Sequence, residues 1–328
     1  MHSYDGAMLP FTAPSLRARP LHRSHWSHWP HRPHRPRIAA AIATLALTVG
    51  LAGCAAPATQ PAAPSWPEQL SALLPTDVLL IGEQHDAPDH QRLQREAVQA
   101  LAARHQLAAL VLEMAEAGRS TEGLPRDASP AQVQQALAWH DRAWPWDRYG
   151  PAAMAAVQAG VPVFGGNLPR AAMRDAMREA RWDTHLPPDA LRQQYQALRD
   201  GHCGLLPESQ IAGMARIQIA RDASMARVAA AAQQPGRVVL LVAGSGHVVR
   251  SLGIPTHWPD SFRSKVVVAQ SGQAQAAITN IADLIIATPA LPPEDHCAAL
   301  QRSRAQPSGA GLGAVPAPMQ APGPAAAP

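Results

Sequence analysis

Four polar side chains capable of acid–base or metal chemistry each follow an apolar segment of the sequence. They are Glu83, His85, Glu113 and His247. Two carboxylates and two imidazoles at one point would suit a divalent metal such as Zn²⁺ or Mn²⁺. The same groups would equally suit metal-free acid–base catalysis, in which a carboxylate tunes a histidine. Neither spacing forms a compact metal-binding motif, so the residue types leave both chemistries open.

Apolar runs of strand length alternate with helical patterns, and these elements have to position the four residues. The runs predict strands over residues 77–81, 107–112, 161–164, 237–243, 265–269 and 284–287. Apolar residues at helical spacing predict helices over 88–105 and 208–232. This alternation favours an α/β fold, a single domain whose mostly parallel sheet is flanked by helices on both faces.

The four residues should meet at one edge of that sheet, because open α/β sheets bind ligands at the carboxyl ends of their strands. Two Gly-x-x-His segments end at His85 and His247, and Glu113 follows a third strand. Each residue alone could simply cap a helix or satisfy the core. Their joint occurrence leads us to infer a shared site.

Two further charged residues, Arg221 and Asp222, lie in the long predicted helix. They could reach the site from that helix, or they could form an ion pair on its surface worth under about 1 kcal/mol. The sequence leaves both options open.

The amino terminus is typical of an export signal. Residues 1–37 hold six arginines and one acid, and residues 38–51 are uncharged and almost wholly apolar. Fourteen residues are fewer than the roughly 20 that a bilayer-spanning helix needs. The run ends in Leu51-Ala-Gly-Cys54, which resembles the lipobox of bacterial lipoprotein precursors. That resemblance implies cleavage before Cys54, acylation of Cys54 with chains such as palmitate, and anchoring in the outer membrane on its periplasmic side. An ordinary secretory signal with a chance cysteine is the alternative.

These features predict four segments: a signal peptide over 1–53, a Pro/Ala-rich tether over 54–66, an α/β domain over 67–300, and a disordered Pro/Ala-rich tail over 301–328. The chain carries a net charge of +4, of which residues 1–53 contribute +5, so the remainder is about −1. Because no basic patch remains after cleavage, nucleic acid is not an expected partner.

Two cysteines, Cys203 and Cys297, lie within the predicted domain. In an oxidising periplasm they could form a disulfide. They could equally remain two buried free thiols.

A set of ordered motifs resembles the ChaN family of haem-binding lipoproteins, within the superfamily of the Tiki proteases and erythromycin esterases. The motifs are Leu80-Ile-Gly-Glu-Gln-His85 with His90, Leu112-Glu-Met114, Asn167-Leu-Pro-Arg170, His202-Cys-Gly-Leu-Leu-Pro207, Gln218-x-x-Arg221-Asp222-x-x-Met225-Ala226, Gly244-Ser-Gly-His247 and Gly253-Ile-Pro255. They span roughly residues 75–290, essentially the whole domain.

The resemblance implies a monomer or homodimer that binds haem at the membrane, with an outer-membrane haem or iron receptor as a further partner. Tyrosine and histidine are the ligand types implicated in that family. We favour Tyr149 as the axial ligand, with His202 and His90 as weaker candidates. Arg170, with Asn167 in the same motif, could bind a haem propionate. The sequence has no Cys-x-x-Cys-His motif, so we expect the haem to be non-covalent.

Two functions therefore follow from the sequence. The first is a membrane-anchored lipoprotein that binds haem or iron for iron acquisition. The second is a metal-dependent hydrolase that uses Glu83, His85, Glu113 and His247 as metal ligands or catalytic groups. Whether the protein is an enzyme stays open at this point.

Overall fold

The computed structural model describes residues 64–272 and 282–305. Within this part of the chain the strands are β1 (Val78–Glu83), β2 (Leu107–Glu116), β3 (Val163–Asn167), β4 (Val238–Gly244), β5 (Ser264–Ser271) and β6 (Leu284–Thr288). The α-helices are α1 (Trp66–Ala72), α2 (Pro88–Ala103), α3 (Pro130–Ala136), α4 (Trp146–Gln158), α5 (Met173–Arg178), α6 (Pro188–Gly201), α7 (Glu208–Ala231) and α8 (His296–Ala305).

The six strands form one parallel sheet in the order β3-β2-β4-β1-β5-β6. This arrangement confirms the predicted α/β class. The central strands β1 and β4 are in register from Val78 opposite Val239 to Glu83 opposite Gly244. Residues at the carboxyl ends of β1, β4 and β2 therefore face a common edge.

Helices cover both faces of the sheet. Successive side chains of β1 point to opposite faces, and all of them are buried. Leu79 and Ile81 pack in the core cluster that includes residues of α1, α2 and α4. Val78 and Leu80 pack in the cluster that includes residues of α7. The uninterrupted apolar runs in the sequence reflect this two-sided burial.

Two strands end three or four residues later in the structure than the apolar runs predict. The second strand continues past residue 112 to Glu116, because Met114 and Ala115 are also buried. Its pairing with β3 shifts register between Leu112 and Glu116, so Glu113 lies at an irregularity inside the strand rather than after it. The third strand likewise runs to Asn167 rather than stopping at residue 164.

A disulfide joins Cys203, just after α6, to Cys297 in the first turn of α8. Of the two options that the sequence left open, the structure therefore has the bonded pair. The bond ties the last described helix to a residue 94 positions earlier.

The predicted signal peptide, Cys54 and most of the Pro/Ala-rich tether lie outside the described residues, as does the tail from residue 306. Across residues 64–272 and 282–305, none of the helices combines the length and apolarity needed to cross a bilayer.

Candidate functional site

Glu83, the last residue of β1, is fully buried and surrounded by donors. Its Oε1 accepts a hydrogen bond from the Tyr149 hydroxyl at 2.8 Å and lies 2.7 Å from Nδ1 of His85. Its Oε2 accepts from the Gln91 amide at 2.7 Å and from the Gln94 amide. These four side chains replace the water that a buried carboxylate loses.

Glu113 forms the second buried carboxylate of the site. Its Oε1 lies 2.6 Å from the Arg221 guanidinium, and its Oε2 accepts from the backbone N–H of Gly244 at 2.7 Å. Burial alone would raise the pKa of Glu113. The positive charge of His247, its hydrogen bond and the charge of Arg221 outweigh burial and hold the pKa well below its usual value. Glu113 is therefore a carboxylate in the folded protein.

His247 lies between two carboxylates. Its Nδ1 is 2.6 Å from Asp222 Oδ1, and its Nε2 is 3.5 Å from Glu113 Oε1. Burial lowers the pKa of His247, but the negative charges of Glu113 and Asp222 outweigh it and raise the pKa to about 9. At neutral pH the ring is thus an imidazolium. Burial also raises the pKa of Asp222, although the charge of His247 opposes that rise.

His85 connects the Glu83 and Glu113 groups. A Cβ atom added to Gly244 would lie 2.9 Å from His85 Nε2 and 3.6 Å from Glu113 Oε2, so the ring and the second carboxylate share the space beside this glycine. Burial lowers the pKa of His85, but its hydrogen bond to Glu83 and the charge of Glu113 give a net rise. The edge of the ring packs against Trp144, with 4.9 Å between centroids.

The four residues named from strand ends therefore come together at the carboxyl edge of β1, β2 and β4. His85 is the most accessible of them, with a side chain 15% exposed, whereas both carboxylates are 0% exposed. The arrangement comprises two histidine–carboxylate pairs, Glu83 with His85 and Asp222 with His247, and both histidines lie near Glu113. Such pairs can hold or transfer protons.

Metal binding by these four residues stays a prediction. The Arg221 guanidinium already supplies a positive charge to Glu113, and donors surround Glu83. In the described part of the chain, the residues whose ligand atoms lie close enough together to bind one metal ion are Asp86, Glu294 and His296, outside this set of four. The contacts are more easily reconciled with metal-free chemistry.

Asn167 and Arg170 have different surroundings. Asn167 is buried at the end of β3, where its amide donates to the Glu113 carbonyl and its Oδ1 accepts from Arg221 Nε, both at 2.9 Å. It thereby orients the guanidinium toward Glu113. Arg170 is exposed, and its backbone N–H donates to Glu116. The Arg170 guanidinium contacts none of the described residues by hydrogen bond or ion pair.

Two of the three candidate haem ligands, Tyr149 and His90, are buried. Tyr149 is 1% exposed and its hydroxyl donates a hydrogen bond to Glu83; burial together with that carboxylate raises the pKa of the phenol. His90 is 0% exposed; its Nδ1 accepts from the Gln84 N–H and its Nε2 lies 3.0 Å from Thr288 Oγ1. Either residue would have to give up these bonds to reach a ligand.

His202 is partly exposed at the end of α6. Its Nδ1 lies 2.8 Å from the Leu198 carbonyl, which can only accept, so Nδ1 carries the proton. In the neutral ring Nε2 then holds the lone pair, which is the form that binds metals.

Sequence reasoning missed the two glutamines that bind Glu83 and left Arg221 and Asp222 undecided. Gln94 is fully buried and lies three residues before Ala97 on the apolar side of α2. A polar residue within an apolar stripe was therefore the available signal. Arg221 and Asp222 are 4% and 3% exposed, so they reach the site and do not form a surface pair.

The fold and site thus define an α/β domain with a buried ionic network at the carboxyl edge of a parallel sheet. The profile of the family described as "Haem-binding uptake, Tiki superfamily, ChaN" matches residues 69–257, and the chain belongs to this family.

A solved structure of ChaN of Campylobacter jejuni, described for its cofacial haem binding, is 25% identical to this chain. The similarity covers 63% of this chain and 87% of that one, with a TM-score of 0.53. The type III effector HopBA1 is 16% identical, with 68% and 93% covered and a TM-score of 0.40, too low to bear on fold or function. No curated protein sequence matches this chain.

Proposed function

We propose that this domain binds haem non-covalently in the service of iron acquisition. The observation that carries the proposal is the match of residues 69–257 to a haem-binding uptake family. The similarity to ChaN of Campylobacter jejuni, which binds haem cofacially, supports it. The chain has no Cys-x-x-Cys-His segment for covalent attachment.

His202 fits the requirements of an axial ligand better than the other named candidates. Bound haem would supply an iron that needs a neutral imidazole nitrogen or a phenolate oxygen. His202 is partly exposed, and the Leu198 carbonyl fixes the tautomer that leaves Nε2 available. Tyr149, favoured from the sequence, stays a candidate, but binding through its oxygen requires the loss of its hydrogen bond to Glu83.

Arg170 is suited to an anionic group at the protein surface. Its guanidinium is exposed and makes no ion pair with a described residue, so binding a haem propionate would break no existing contact. A bidentate arginine–carboxylate contact is among the stronger polar interactions. Asn167, by contrast, serves the buried network through Glu113 and Arg221.

We further propose that the domain is a lipoprotein anchored through Cys54 on the periplasmic side of the outer membrane. The lipobox-like Leu51-Ala-Gly-Cys54 supports this, and the disulfide between Cys203 and Cys297 is in keeping with an oxidising compartment. An outer-membrane haem or iron receptor and a second copy of this chain are the partners that we propose.

A haemin titration followed at the Soret band tests the proposal and separates the ligand candidates. We expect saturable binding that is weakened about tenfold or more by His202→Ala and left unchanged by His140→Ala, an exposed histidine elsewhere. If Tyr149 is the ligand, Tyr149→Phe weakens binding and His202→Ala does not. A wild-type spectrum without a saturable Soret shift rejects haem binding. Release of unmodified haem by acidified acetone would establish that it is non-covalent.

We propose hydrolysis as a second function, on the strength of one observation. The pairs Glu83–His85 and Asp222–His247 both adjoin Glu113. His85 shares the space beside Gly244 with Glu113 Oε2, and His247 Nε2 lies 3.5 Å from Glu113 Oε1. His85, as the more accessible ring, would act as the general base toward a water, and Glu83 would hold it in the required tautomer. Hydrolysis of p-nitrophenyl acetate that survives a chelator but not His85→Ala would support the metal-free form. Loss on chelation would favour the metal-dependent form, and no wild-type hydrolysis would count against this function.

A further inference from the structure

We propose a divalent metal site formed by Asp86, Glu294 and His296, separate from the buried network. One ligand atom from each of these residues lies within 4.8 Å of the other two. A single ion between three such atoms would contact all of them after small side-chain movements, since carboxylate and imidazole ligands bind at about 2.0–2.2 Å. The site goes beyond the proposed haem binding and does not depend on it.

The fold holds these residues together from two directions. Asp86 lies in the loop between β1 and α2, whereas Glu294 lies in the segment that joins β6 to α8 and His296 is the first residue of α8. That segment is fixed at its beginning, because the N–H of Leu291 donates to Ser271 Oγ at 2.8 Å. Ser271 in turn donates its N–H to the Gln84 amide oxygen at 2.9 Å, two residues before Asp86.

The other end of the segment is fixed covalently. Cys297 follows His296 directly and is bonded to Cys203. The two metal-binding side chains of the segment are therefore confined between a hydrogen-bonded anchor and a disulfide. Such confinement reduces the entropy lost when a ligand orders a loop.

The ligand types favour a first-row transition metal. Two carboxylates with one imidazole suit Zn²⁺, Mn²⁺ or Fe²⁺, whereas Ca²⁺ and Mg²⁺ prefer oxygen ligands alone. Three protein ligands leave at least one position of the ion for water or another ligand, as in exchangeable sites. The positive N-terminal end of α8 opposes a cation, but the Asp295 carboxylate accepts from the Ala298 N–H there and offsets that effect.

Accessibility distinguishes this group from the buried carboxylates. Glu294 and His296 are exposed and Asp86 is partly exposed, whereas Glu83 and Glu113 are fully buried. An ion can thus enter without unfolding the domain. Substitutions of Glu294 and His296 should also leave folding intact, because surface changes usually alter stability by less than about 0.5 kcal/mol.

Calorimetric titration of the full chain with Zn²⁺, with the disulfide intact, tests the site. Residues 1–37 hold six histidines that add background binding wherever this segment is retained, so the decisive quantity is the difference between variants. We expect wild type to bind one more Zn²⁺ per chain than His296→Ala, and Glu294→Gln to weaken that site roughly tenfold or more. His140→Ala is the matched control and should keep the site.

The proposal is overturned if His296→Ala and Glu294→Gln bind the same number of Zn²⁺ ions, with the same affinities, as wild type and His140→Ala. It is also overturned if wild type binds no Zn²⁺. Circular dichroism spectra of the variants that match wild type would show that any loss is local to the site.

Discussion

The imidazole of His247 lies 2.6 Å from the carboxylate of Asp222, with both residues less than 10% exposed. The pair is held between the sheet edge and α7. An isolated buried charge would be very costly, but paired and hydrogen-bonded charges can be retained in a protein interior. The stability of the domain should therefore depend on the protonation and the partners of this pair.

We expect stability to fall as pH rises through the weakly alkaline range. The pKa of His247 is raised from 6.5 to about 9 on folding. Its contribution to stability is therefore complete below about pH 6.5 and is lost as pH rises toward 9. Urea unfolding at several pH values should show this decline, and His247→Gln should flatten it in part, because the raised pKa of His85 acts in the same direction. An unchanged slope in the variant would contradict the assignment.

Arg221 should contribute far more to stability than Arg216 on the same helix. Arg221→Met leaves the Glu113 carboxylate buried without its guanidinium, which should cost about 3–5 kcal/mol. Arg216 pairs with Asp183 at a site where both side chains are partly exposed, so Arg216→Met should cost about 1 kcal/mol or less. Chemical denaturation measures both. Equal losses in the free energy of unfolding would show that the buried Arg221–Glu113 pair contributes no more to stability than the partly exposed Arg216–Asp183 pair.

Tyr149→Phe should destabilise the domain by about 1–3 kcal/mol, because Glu83 loses one of the donors that compensate for its burial. Tyr195 is the matched control: it is only partly buried, and its hydroxyl makes no hydrogen bond with a described residue. Tyr195→Phe should therefore change the free energy of unfolding by less than about 0.5 kcal/mol. Thermal unfolding compares the two, and an unaffected Tyr149→Phe protein would argue against the Glu83 contact.

Reduction should destabilise the domain measurably. The disulfide between Cys203 and Cys297 closes a loop of about 94 residues, for which a loss of about 4.6 kcal/mol is expected on chain entropy. Urea unfolding with and without reductant measures the effect. A Cys203→Ala/Cys297→Ala protein should be as unstable as the reduced wild type and insensitive to reductant. Sensitivity that persists in this double variant would mean that the reductant acts elsewhere.

The sequence was informative about the strands because most of them are buried on both faces. An uninterrupted apolar run such as 237–243 has few other interpretations, and the residue types at its end then indicate the sheet edge. Glu83, Glu113 and His247 could be assigned to that edge without knowing the strand order. The order itself depends on how helices pack across the sheet, and no local pattern encodes it.

Residues that reach the site from helices were harder to predict. Arg221 and Asp222 are consecutive charges in a long helix, a pattern shared by many exposed ion pairs, and only packing of α7 against the sheet buries them. The convergence of Asp86 with Glu294 and His296 had no signal at all, because about 208 residues separate the two segments. Contacts at that separation depend on the complete fold.

Nuclear magnetic resonance titration of the His247 imidazole tests most directly whether the buried ionic network exists. We expect a pKa of about 9 for His247 in wild type, lowered toward 6.5 by Asp222→Asn, since that change removes one of the two negative charges beside the ring. A wild-type His247 that titrates near 6.5, with no response to Asp222→Asn, would show that the network does not form.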